Sequence, residues 1–197
     1  MANRSIFWFR RDLRLGDNPA LLSAIAEGDE VVPVFILDPK LIKTAGSKRL
    51  AYLGQSLRLL DESLGNNLHV IAGDQVTVLN DLIKRYQVSS VHISAEYEPY
   101  GAKRDTAIEE AGIKLTRTGS PYAVAPGRVR KPSDDTPYRV YTPFYKAWCL
   151  HGWRKPAETP KVINSVKPSA EDRSFPDWKL PDGTKITQAG ELAALER

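Results

Sequence analysis

Five short apolar runs alternate with segments of helical periodicity between residues 5 and 117, and this alternation restricts the fold more than any other feature. The runs cover residues 5–9, 31–37, 68–71, 90–94 and 113–116. They are nearly continuous, which is typical of strands that are covered on both faces. The pattern predicts right-handed βαβ crossovers, and hence a doubly wound, Rossmann-like α/β fold with a five-stranded parallel sheet and helices on both faces.

Residues with strong capping preferences mark the predicted helices. Asparagine, serine and aspartate commonly precede a helix, and glycine commonly follows one. Such residues predict four helices between the strands: one from Asn18 to Gly28, one from Ser47 to Gly65, one beginning at Asp74 and one over residues 101–111. Pro33 interrupts the second apolar run, which predicts either an edge-like position or a late start for that strand.

Composition divides the chain into three parts. Residues 1–155 hold the predicted α/β domain and end with a short aromatic segment at residues 141–148. Five prolines exclude a long helix from residues 156–186, which we interpret as an interdomain linker. Residues 187–197 regain helical character, and we expect them to begin a helix of a further, helical domain.

The overall composition is that of one ordinary globular core. The chain has 197 residues, of which 42% are hydrophobic and 26% charged. Its net charge of +4 comes from interleaved acidic and basic residues, which favours a solvated surface over an acidic partner. The single cysteine, Cys149, excludes a disulfide framework, and we expect it to be buried as a small apolar residue. Without a signal-peptide core or an 18-residue apolar stretch, a cytoplasmic protein with no membrane partner is predicted.

Common catalytic and phosphate-binding motifs are missing from the sequence. The 13 glycines form neither GxGxxG nor GxxxxGK[ST], and no GxSxG, HExxH or zinc-ligand spacing occurs. His69 and His92 fall within predicted strands, so we expect them to have packing roles. The residues alone therefore predict neither a catalytic group nor a metal site in this chain.

The most specific segment runs from Phe7 to Leu21 and reads FWFRRDLRLGDNPAL. It combines a buried strand, a charge-dense loop and a capped helix. Its arginines either pair with carboxylates or face an anionic ligand, and the spacing favours pairing. The segment resembles the WxRxDLRxxDNxAL signature that opens DNA photolyases and cryptochromes. Further segments resemble that family in the expected order, namely residues 35–39, 49–53, 98–105 and 138–148.

The resemblance implies a domain that holds an auxiliary light-harvesting chromophore at the strand ends, most like class I photolyases. In that family a following helical domain holds FAD and the flipped-out pyrimidine dimer. We therefore expect the FAD-binding helical domain of the same protein and damaged DNA as partners, in a monomer whose parent is a light-driven deoxyribodipyrimidine lyase. This chain alone is expected to be inactive.

The resemblance also bears on the type of antenna. Folate-binding members carry an Asn-Glu pair where this chain has Tyr100-Gly101, so a deazaflavin or an FMN/FAD-like chromophore is favoured. Carried over by position, the predicted contacts are Ile36, Leu37, Asp38, Arg49, Glu96, Tyr97, Glu98, Tyr100, Gly101 and Arg104. A planar ring needs a flat slot with polar groups at its edge, and a phosphate tail favours an arginine. The alternative to chromophore contacts is that these residues have local roles: Asp38 begins a turn, Glu98 caps a helix and Arg49 is solvated.

Two other functions stay open at this stage. The chain could belong to a blue-light receptor of the cryptochrome type, or it could be a stand-alone nucleotide-binding α/β module, against which the missing glycine motifs argue. The loop-rich region also carries a basic group with the capacity for DNA phosphate contacts: Arg128, Arg130, Lys131, Arg139 and Lys155. Contacts of these residues with the helical domain or with water are the favoured alternative.

Overall fold

A computed structural model describes residues 2–197, in which five strands form one parallel sheet. The strands are β1 (Arg4–Phe9), β2 (Glu30–Leu37), β3 (His69–Ala72), β4 (Val88–Ile93) and β5 (Leu115–Arg117). Their order is β3-β2-β1-β4-β5, and every neighbouring pair is parallel. The predicted fold class is confirmed. The strand order reverses between β1 and β4, which is where this fold binds ligands.

The helices cover both faces of the sheet and extend beyond it. They are α1 (Pro19–Glu27), α2 (Pro39–Thr44), α3 (Ser47–Ser63), α4 (Gln75–Tyr86), α5 (Pro99–Glu110), α6 (Tyr141–His151) and α7 (Glu191–Leu195), with a 3₁₀ helix at Ala170–Asp172. The four predicted helices correspond to α1, α3, α4 and α5. The sequence pattern missed α2, and it identified α6 only as an aromatic segment.

Two of the predicted caps are confirmed and one is wrong. The Asn18 side chain accepts a hydrogen bond from the Leu21 amide at 3.2 Å, and Asp74 accepts one from the Thr77 amide at 3.1 Å. Ser47 is the first residue of α3 rather than its cap, because the preceding glycine occupies the cap position without a side-chain hydrogen bond.

Alternate residues of β1 enter two separate apolar layers. Ile6 and Trp8 pack with α4 and α5 on one face, whereas Phe7 and Phe9 pack with α1 and α3 on the other. His92 in β4 is fully buried as well, and so is His69, in β3. These two histidines have the packing roles expected from their positions in strands.

Pro33 lies in β2, an interior strand that begins three residues before it. The predictions of an edge-like position and of a late strand start are therefore both wrong for β2 as a whole. On the outer side of β2, the Val31 amide donates to the Asn164 carbonyl at 2.8 Å. The ladder with β3 begins only where Val34 pairs with His69. Backbone nitrogens two residues apart point to the same side of a strand, so the Pro33 nitrogen faces the same side as the Val31 nitrogen. On that side it lies between the contact with Asn164 and the start of the ladder with β3, and the proline therefore removes no ladder hydrogen bond.

Residues 156–186 run along the α/β domain and contain no helix longer than the 3₁₀ turn, as the prolines predicted. Val31 pairs with Ser165, and the Ser174 amide donates to the Val70 carbonyl at 2.8 Å. Three apolar residues of the segment pack on the layer that contains α1 and α3: Ile163, Phe175 and Trp178. The domain boundaries read from composition remain predictions.

The last two helices differ in how they contact the domain. All of α6 is described, and it buries none of its residues; Leu150 is 89% exposed. Cys149 is exposed for the same reason, so its predicted burial is wrong. In contrast, the α7 carboxylate of Glu191 accepts hydrogen bonds from the Leu15 and Gly16 amides at 2.7 and 2.8 Å. No helix in the described part of the chain is long and apolar enough to cross a membrane.

Candidate functional site

A cleft of about 270 Å³ opens at the carboxyl ends of β1, β2 and β4, beside the point where the strand order reverses. It is lined by the end of β1 and the following arginines, the end of β2, the first turns of α2 and α4, and residues 96–104. Aromatic and aliphatic side chains form much of its wall. This volume lies just below the range of small-molecule sites, about 300–1,000 Å³.

Seven of the ten chromophore contacts implied by the resemblance line this cleft: Ile36, Asp38, Glu96, Glu98, Tyr100, Gly101 and Arg104. The other three lie outside it. Leu37 follows Ile36 in a strand, so its side chain enters the opposite apolar layer. Arg49 is exposed on α3. Tyr97 is exposed and packs edge-on against Tyr122, with ring centroids 6.1 Å apart.

Seven further residues line the cleft and were not predicted: Trp8, Phe9, Arg10, Arg11, Phe35, Leu41 and Gln75. The first four follow from the fold, because the end of β1 must lie at the reversal point of the strand order. Leu41 was missed together with α2. Gln75 carried no distinguishing signal beyond its place after the Asp74 cap.

A buried network of charges holds the base of the cleft together. The Arg10 guanidinium is 4% exposed and lies 2.7 Å from Asp105 Oδ1 and 3.1 Å from Glu96 Oε1. Arg104 shares both partners, with 2.9 Å to Asp105 Oδ1 and 3.3 Å to Glu96 Oε2. Burial, followed by repulsion from Arg104, lowers the pKa of Arg10. The pairing expected for the arginines of the segment from Phe7 to Leu21 is present: Arg10 pairs with carboxylates that follow β4, whereas Arg14 lies 3.7 Å from Asp17 in its own loop.

The two guanidinium groups of this network also pack against the wall of the cleft. Arg104 Cζ lies 4.8 Å from the ring centroid of Trp8, and Arg10 Cζ lies 5.2 Å from it. Trp8 is 3% exposed and belongs to the apolar layer beneath. The indole is therefore fixed between a packed core and two cations, which makes it a rigid wall.

Glu96 presents an unused acceptor inside the cleft. Its Oε1 atom is buried and forms an ion pair with Arg10 Nε at 3.1 Å, but it accepts no hydrogen bond from the residues that the structure describes. A ligand N–H or O–H group at this point would add the hydrogen bond that this carboxylate oxygen lacks. Gly101 keeps Glu96 in place, since a Cβ at this glycine would collide with the Glu96 carboxylate.

Tyr100 spans the opposite side of the cleft. Its hydroxyl donates to Asp38 Oδ2, while Asp38 Oδ1 accepts a hydrogen bond from the Lys40 amide at 2.9 Å and so caps α2. Burial and the Asp38 carboxylate raise the pKa of Tyr100 to about 12. The phenol is therefore a neutral donor at neutral pH. Asp38 has both the local role and a place in the cleft.

Glu98 and Arg11 form an ion pair at the mouth of the cleft. Their side chains are 54% and 48% exposed, and the hydrogen bond from Arg11 lowers the pKa of Glu98. Glu98 occupies the cap position of α5 without donating or accepting a cap hydrogen bond, so its carboxylate is turned toward Arg11 instead. An exposed pair of this kind contributes little to stability.

The basic residues considered for DNA contacts are partly neutralised within their own loop. Arg130 lies 3.7 Å from Asp135, and Lys131 lies 4.0 Å from Asp134. All four side chains are on the surface. A DNA contact of this loop stays the less favoured alternative to contacts with a helical domain or with water.

Fold and cleft together define a doubly wound α/β domain with a cleft at the point where its strand order reverses. The family described as DNA photolyase matches residues 5–161, and the chain belongs to this family. The family inferred from the signature at Phe7 to Leu21 is thus confirmed.

Relatives from both branches of the family match nearly the whole chain. The deoxyribodipyrimidine photo-lyase of Agrobacterium fabrum is 34% identical over 98% of this chain and 43% of its own length. Cryptochrome-2 of Gallus gallus is 34% identical over 98% of this chain and 37% of its own length.

Two solved structures are similar as well. A class III photolyase from Agrobacterium tumefaciens superposes with a TM-score of 0.82 at 31% identity, covering 100% of this chain and 44% of that one. An archaeal photolyase from Sulfolobus tokodaii superposes with a TM-score of 0.69 at 29% identity, covering 83% of this chain and 38% of that one. That structure was solved with two FAD molecules and is described as implying a novel light-harvesting cofactor. The chain spans less than half the length of these relatives.

Proposed function

We propose that the cleft binds a flavin-type or deazaflavin-type chromophore and that the domain is the light-harvesting part of a photolyase. The observation that carries this proposal is the Oε1 atom of Glu96, which is ion-paired with Arg10 but accepts no hydrogen bond, inside a cleft walled by Trp8 and other apolar side chains. A carboxylate only accepts hydrogen bonds, so it selects a ring with an N–H at its edge. Flavins and deazaflavins both carry such an imide group.

The neighbouring residues fit a flat ring. Trp8 is fixed by two guanidinium groups, and Tyr100 is held across the cleft by Asp38. Gly101 lets the Glu96 carboxylate approach α5 closely, and a larger residue at this position would displace the carboxylate. The Tyr100-Gly101 pair and the second FAD of the Sulfolobus tokodaii relative support a flavin-like antenna over folate.

The chromophore would supply absorption of near-ultraviolet or blue light, and the chain would bind and orient it and exclude water from its ring. In the parent protein the excitation would pass to FAD in a helical domain, which would act on cyclobutane pyrimidine dimers in DNA. The names and lengths of the relatives support this assignment. The class I grouping, a monomer and a cytoplasmic location belong to the same proposal.

The exposed face of α6 favours the presence of another protein domain next to this one. Tyr141, Tyr145 and Trp148 have nearly parallel rings with centroids 5.8 and 6.5 Å apart, and Trp148 stacks on Trp153 at 4.7 Å. Large exposed apolar patches mark interaction sites. A helical FAD-binding domain of the same protein is the partner that we propose for this face.

A blue-light receptor of the cryptochrome type is the second candidate function, and the 34% identity with Cryptochrome-2 of Gallus gallus supports it. Both readings share the chromophore site and differ in what the parent protein does. Repair of pyrimidine dimers under blue light by the full-length protein separates them. The 197-residue chain alone should show no repair, and robust repair by it would overturn the assignment.

A titration of the purified chain tests the chromophore site. We expect saturable binding of riboflavin and of a 5-deazaflavin, followed by fluorescence, and much weaker binding of methenyltetrahydrofolate and ATP. Glu96→Gln places an amide where the acceptor was and should weaken flavin binding by about 10-fold, as expected for a hydrogen bond to a charged group. Tight ATP binding without flavin binding would instead indicate a nucleotide-binding module unrelated to light.

A further inference from the structure

Glu191, the first residue of α7, joins this helix to the loop after β1. Its Oε2 atom accepts a hydrogen bond from the Leu15 amide at 2.7 Å, and its Oε1 atom accepts one from the Gly16 amide at 2.8 Å. Two successive backbone N–H groups that point at one anion form a favourable anion site. Hydrogen bonds to a carboxylate are also stronger than those between neutral groups. These two bonds, named here the Glu191 contact, therefore hold α7 at a defined point of the loop.

Gly16 leaves the space that the Glu191 contact needs. A Cβ at residue 16 would lie 2.7 Å from Glu191 Oε1 and 3.1 Å from the Thr159 hydroxyl oxygen. The φ of Gly16 is not positive, so its backbone conformation does not require glycine. The missing side chain at residue 16 therefore serves the close approach of Glu191 and Thr159.

Few other contacts fix α7. All five of its residues are described, and only Ala193 among them is buried, whereas Leu192 and Leu195 are exposed. Cavities of about 620 and 420 Å³ adjoin the helix. A helix this short is unstable by itself in water, so its position depends on contacts with the domain. The Glu191 contact supplies the hydrogen bonds that the structure describes between α7 and the rest of the domain.

The loop that binds Glu191 also lines the cleft. Arg11 faces the cleft, and the two amides that bind Glu191 lie only four and five residues further along the chain. Arg14 stiffens the loop, because its Nε atom donates to the Gly16 carbonyl at 3.0 Å and its Nη2 atom donates to the Asp17 carbonyl at 2.9 Å. Networks of hydrogen-bonded groups couple separate positions in a protein. The position of α7 is thus tied to the wall of the cleft.

We propose that Glu191 is a positioning residue, which fixes the start of the helical FAD-binding domain at a set distance and angle from the cleft. This inference rests on the proposed function and on the expectation that residues 187–197 begin the helical domain. Transfer of excitation energy between two chromophores falls steeply with their separation and depends on their mutual angle. A charged contact at the junction of the two domains therefore acts on the transfer without touching either chromophore.

The Glu191 contact is tested first in the 197-residue chain without any chromophore. Hydrogen exchange of the Leu15 and Gly16 amides, resolved by nuclear magnetic resonance, reports the two hydrogen bonds directly. Glu191→Ala should accelerate exchange of both amides by about 10-fold or more, as expected for the loss of hydrogen bonds to a charged group. Glu196→Ala is the matched control, because it removes the same charge from an exposed position next to α7, and it should change neither amide.

The positioning role is tested in the full-length protein that carries both chromophores. The transferred fraction of the excitation is measured from the quenching of the cleft chromophore's fluorescence. Glu191→Ala should reduce this fraction at least about two-fold, while the response to light absorbed directly by FAD stays unchanged. Gly16→Ala displaces the same carboxylate from the side of the loop and should have the same effect. Glu196→Ala should behave like the unmodified protein.

The outcomes separate this inference from the proposed function. Unchanged exchange of the Leu15 and Gly16 amides in Glu191→Ala would overturn the Glu191 contact. Faster exchange with an unchanged transferred fraction would overturn the positioning role, and so would an equal loss of the response to direct excitation of FAD. A full-length protein that binds no chromophore in the cleft would overturn the proposed function and the positioning role together, whereas the exchange experiment would still decide on the Glu191 contact.

Discussion

At the residue scale, Asp105 holds the base of the cleft together. It is 3% exposed and accepts hydrogen bonds from both Arg10 and Arg104. Removing one partner of a buried ionic group leaves the remaining charges uncompensated, which costs about 3–5 kcal/mol. Asp105→Asn should therefore lower the free energy of unfolding, measured by urea denaturation, by about that amount.

Asp81 provides the matched control for this substitution. It pairs with Arg85 one helical turn away, and more than half of its side chain is exposed. Asp81→Asn should cost less than about 1 kcal/mol, as exposed pairs do. Equal costs for the two substitutions would contradict a structural role for the buried network.

Substitution of Gly101 tests whether the position of Glu96 matters for binding, without removing a charge. A Cβ at residue 101 would displace the Glu96 carboxylate, so Gly101→Ala should weaken riboflavin binding several-fold, measured by fluorescence titration. The free energy of unfolding should fall as well, because the same displacement disturbs the buried pairs of Glu96 with Arg10 and Arg104. Gly46→Ala is the control, since a Cβ there meets no atom within 4 Å. An unchanged riboflavin affinity in Gly101→Ala would place the ligand elsewhere.

Residue contacts were predictable only where the motif itself lines the cleft. The run from Glu96 to Arg104 was identified because it lies together in sequence as well as in space. Leu37 was carried over with Ile36, although strand geometry sends neighbouring side chains to opposite faces. The pairing of Arg10 with Asp105 joins residues 95 positions apart, and no local pattern encodes it.

At the element scale, capping residues predicted helices well, and composition predicted them poorly. Asn18 and Asp74 cap α1 and α4, because their side chains satisfy free amides at the helix start. The same logic applies to Asp38 and α2, but a six-residue helix leaves too short a period to detect. In α6 the aromatic content concealed the helix, since aromatic residues favour strands by propensity.

His69 of β3 predicts how stability depends on pH. Burial is the main reason that the pKa of His69 lies below its ordinary value of 6.5. The unfolded chain therefore binds the proton first, and the free energy of unfolding should decrease as the pH falls below about 6.5. The same direction holds for His92. Urea denaturation at several pH values between about 7.5 and 5.5 measures the effect.

Two variants assign this decrease. His69→Gln should reduce the loss of stability on acidification, because one of the two buried histidines no longer titrates. His151→Gln should keep the full loss, since His151 is on the surface. A pH dependence that persists unchanged in His69→Gln would show that other groups cause it.

Asp172 fixes the 3₁₀ helix to the end of α4. Its carboxylate accepts hydrogen bonds from Arg85 at 2.7 and 3.0 Å and from the Tyr86 hydroxyl at 2.6 Å. Asp172→Asn should loosen residues 165–178, and hydrogen exchange in this segment should become faster while the sheet stays protected. Asp177→Asn serves as the control, because its pair with Lys179 is exposed. Exchange that is unchanged in both variants would refute the role of Asp172.

At the scale of the whole molecule, the alternation of strands and helices predicted the sheet and the cleft at its carboxyl-terminal edge. It did not predict the path of residues 156–186. The prolines exclude a helix there without indicating where the segment packs. Its contacts with β2 and β3 depend on single backbone pairs, which have no sequence signature.

A flavin ring bound at the carboxyl ends of β1, β2 and β4 is the basis of the proposed function. Hydrogen exchange of the purified chain, measured with and without saturating riboflavin, tests it most directly. We predict slower exchange in peptides that cover residues 35–41 and 96–104, and unchanged exchange in α6. Identical exchange with and without riboflavin, or protection confined to segments outside the cleft, would contradict the claim.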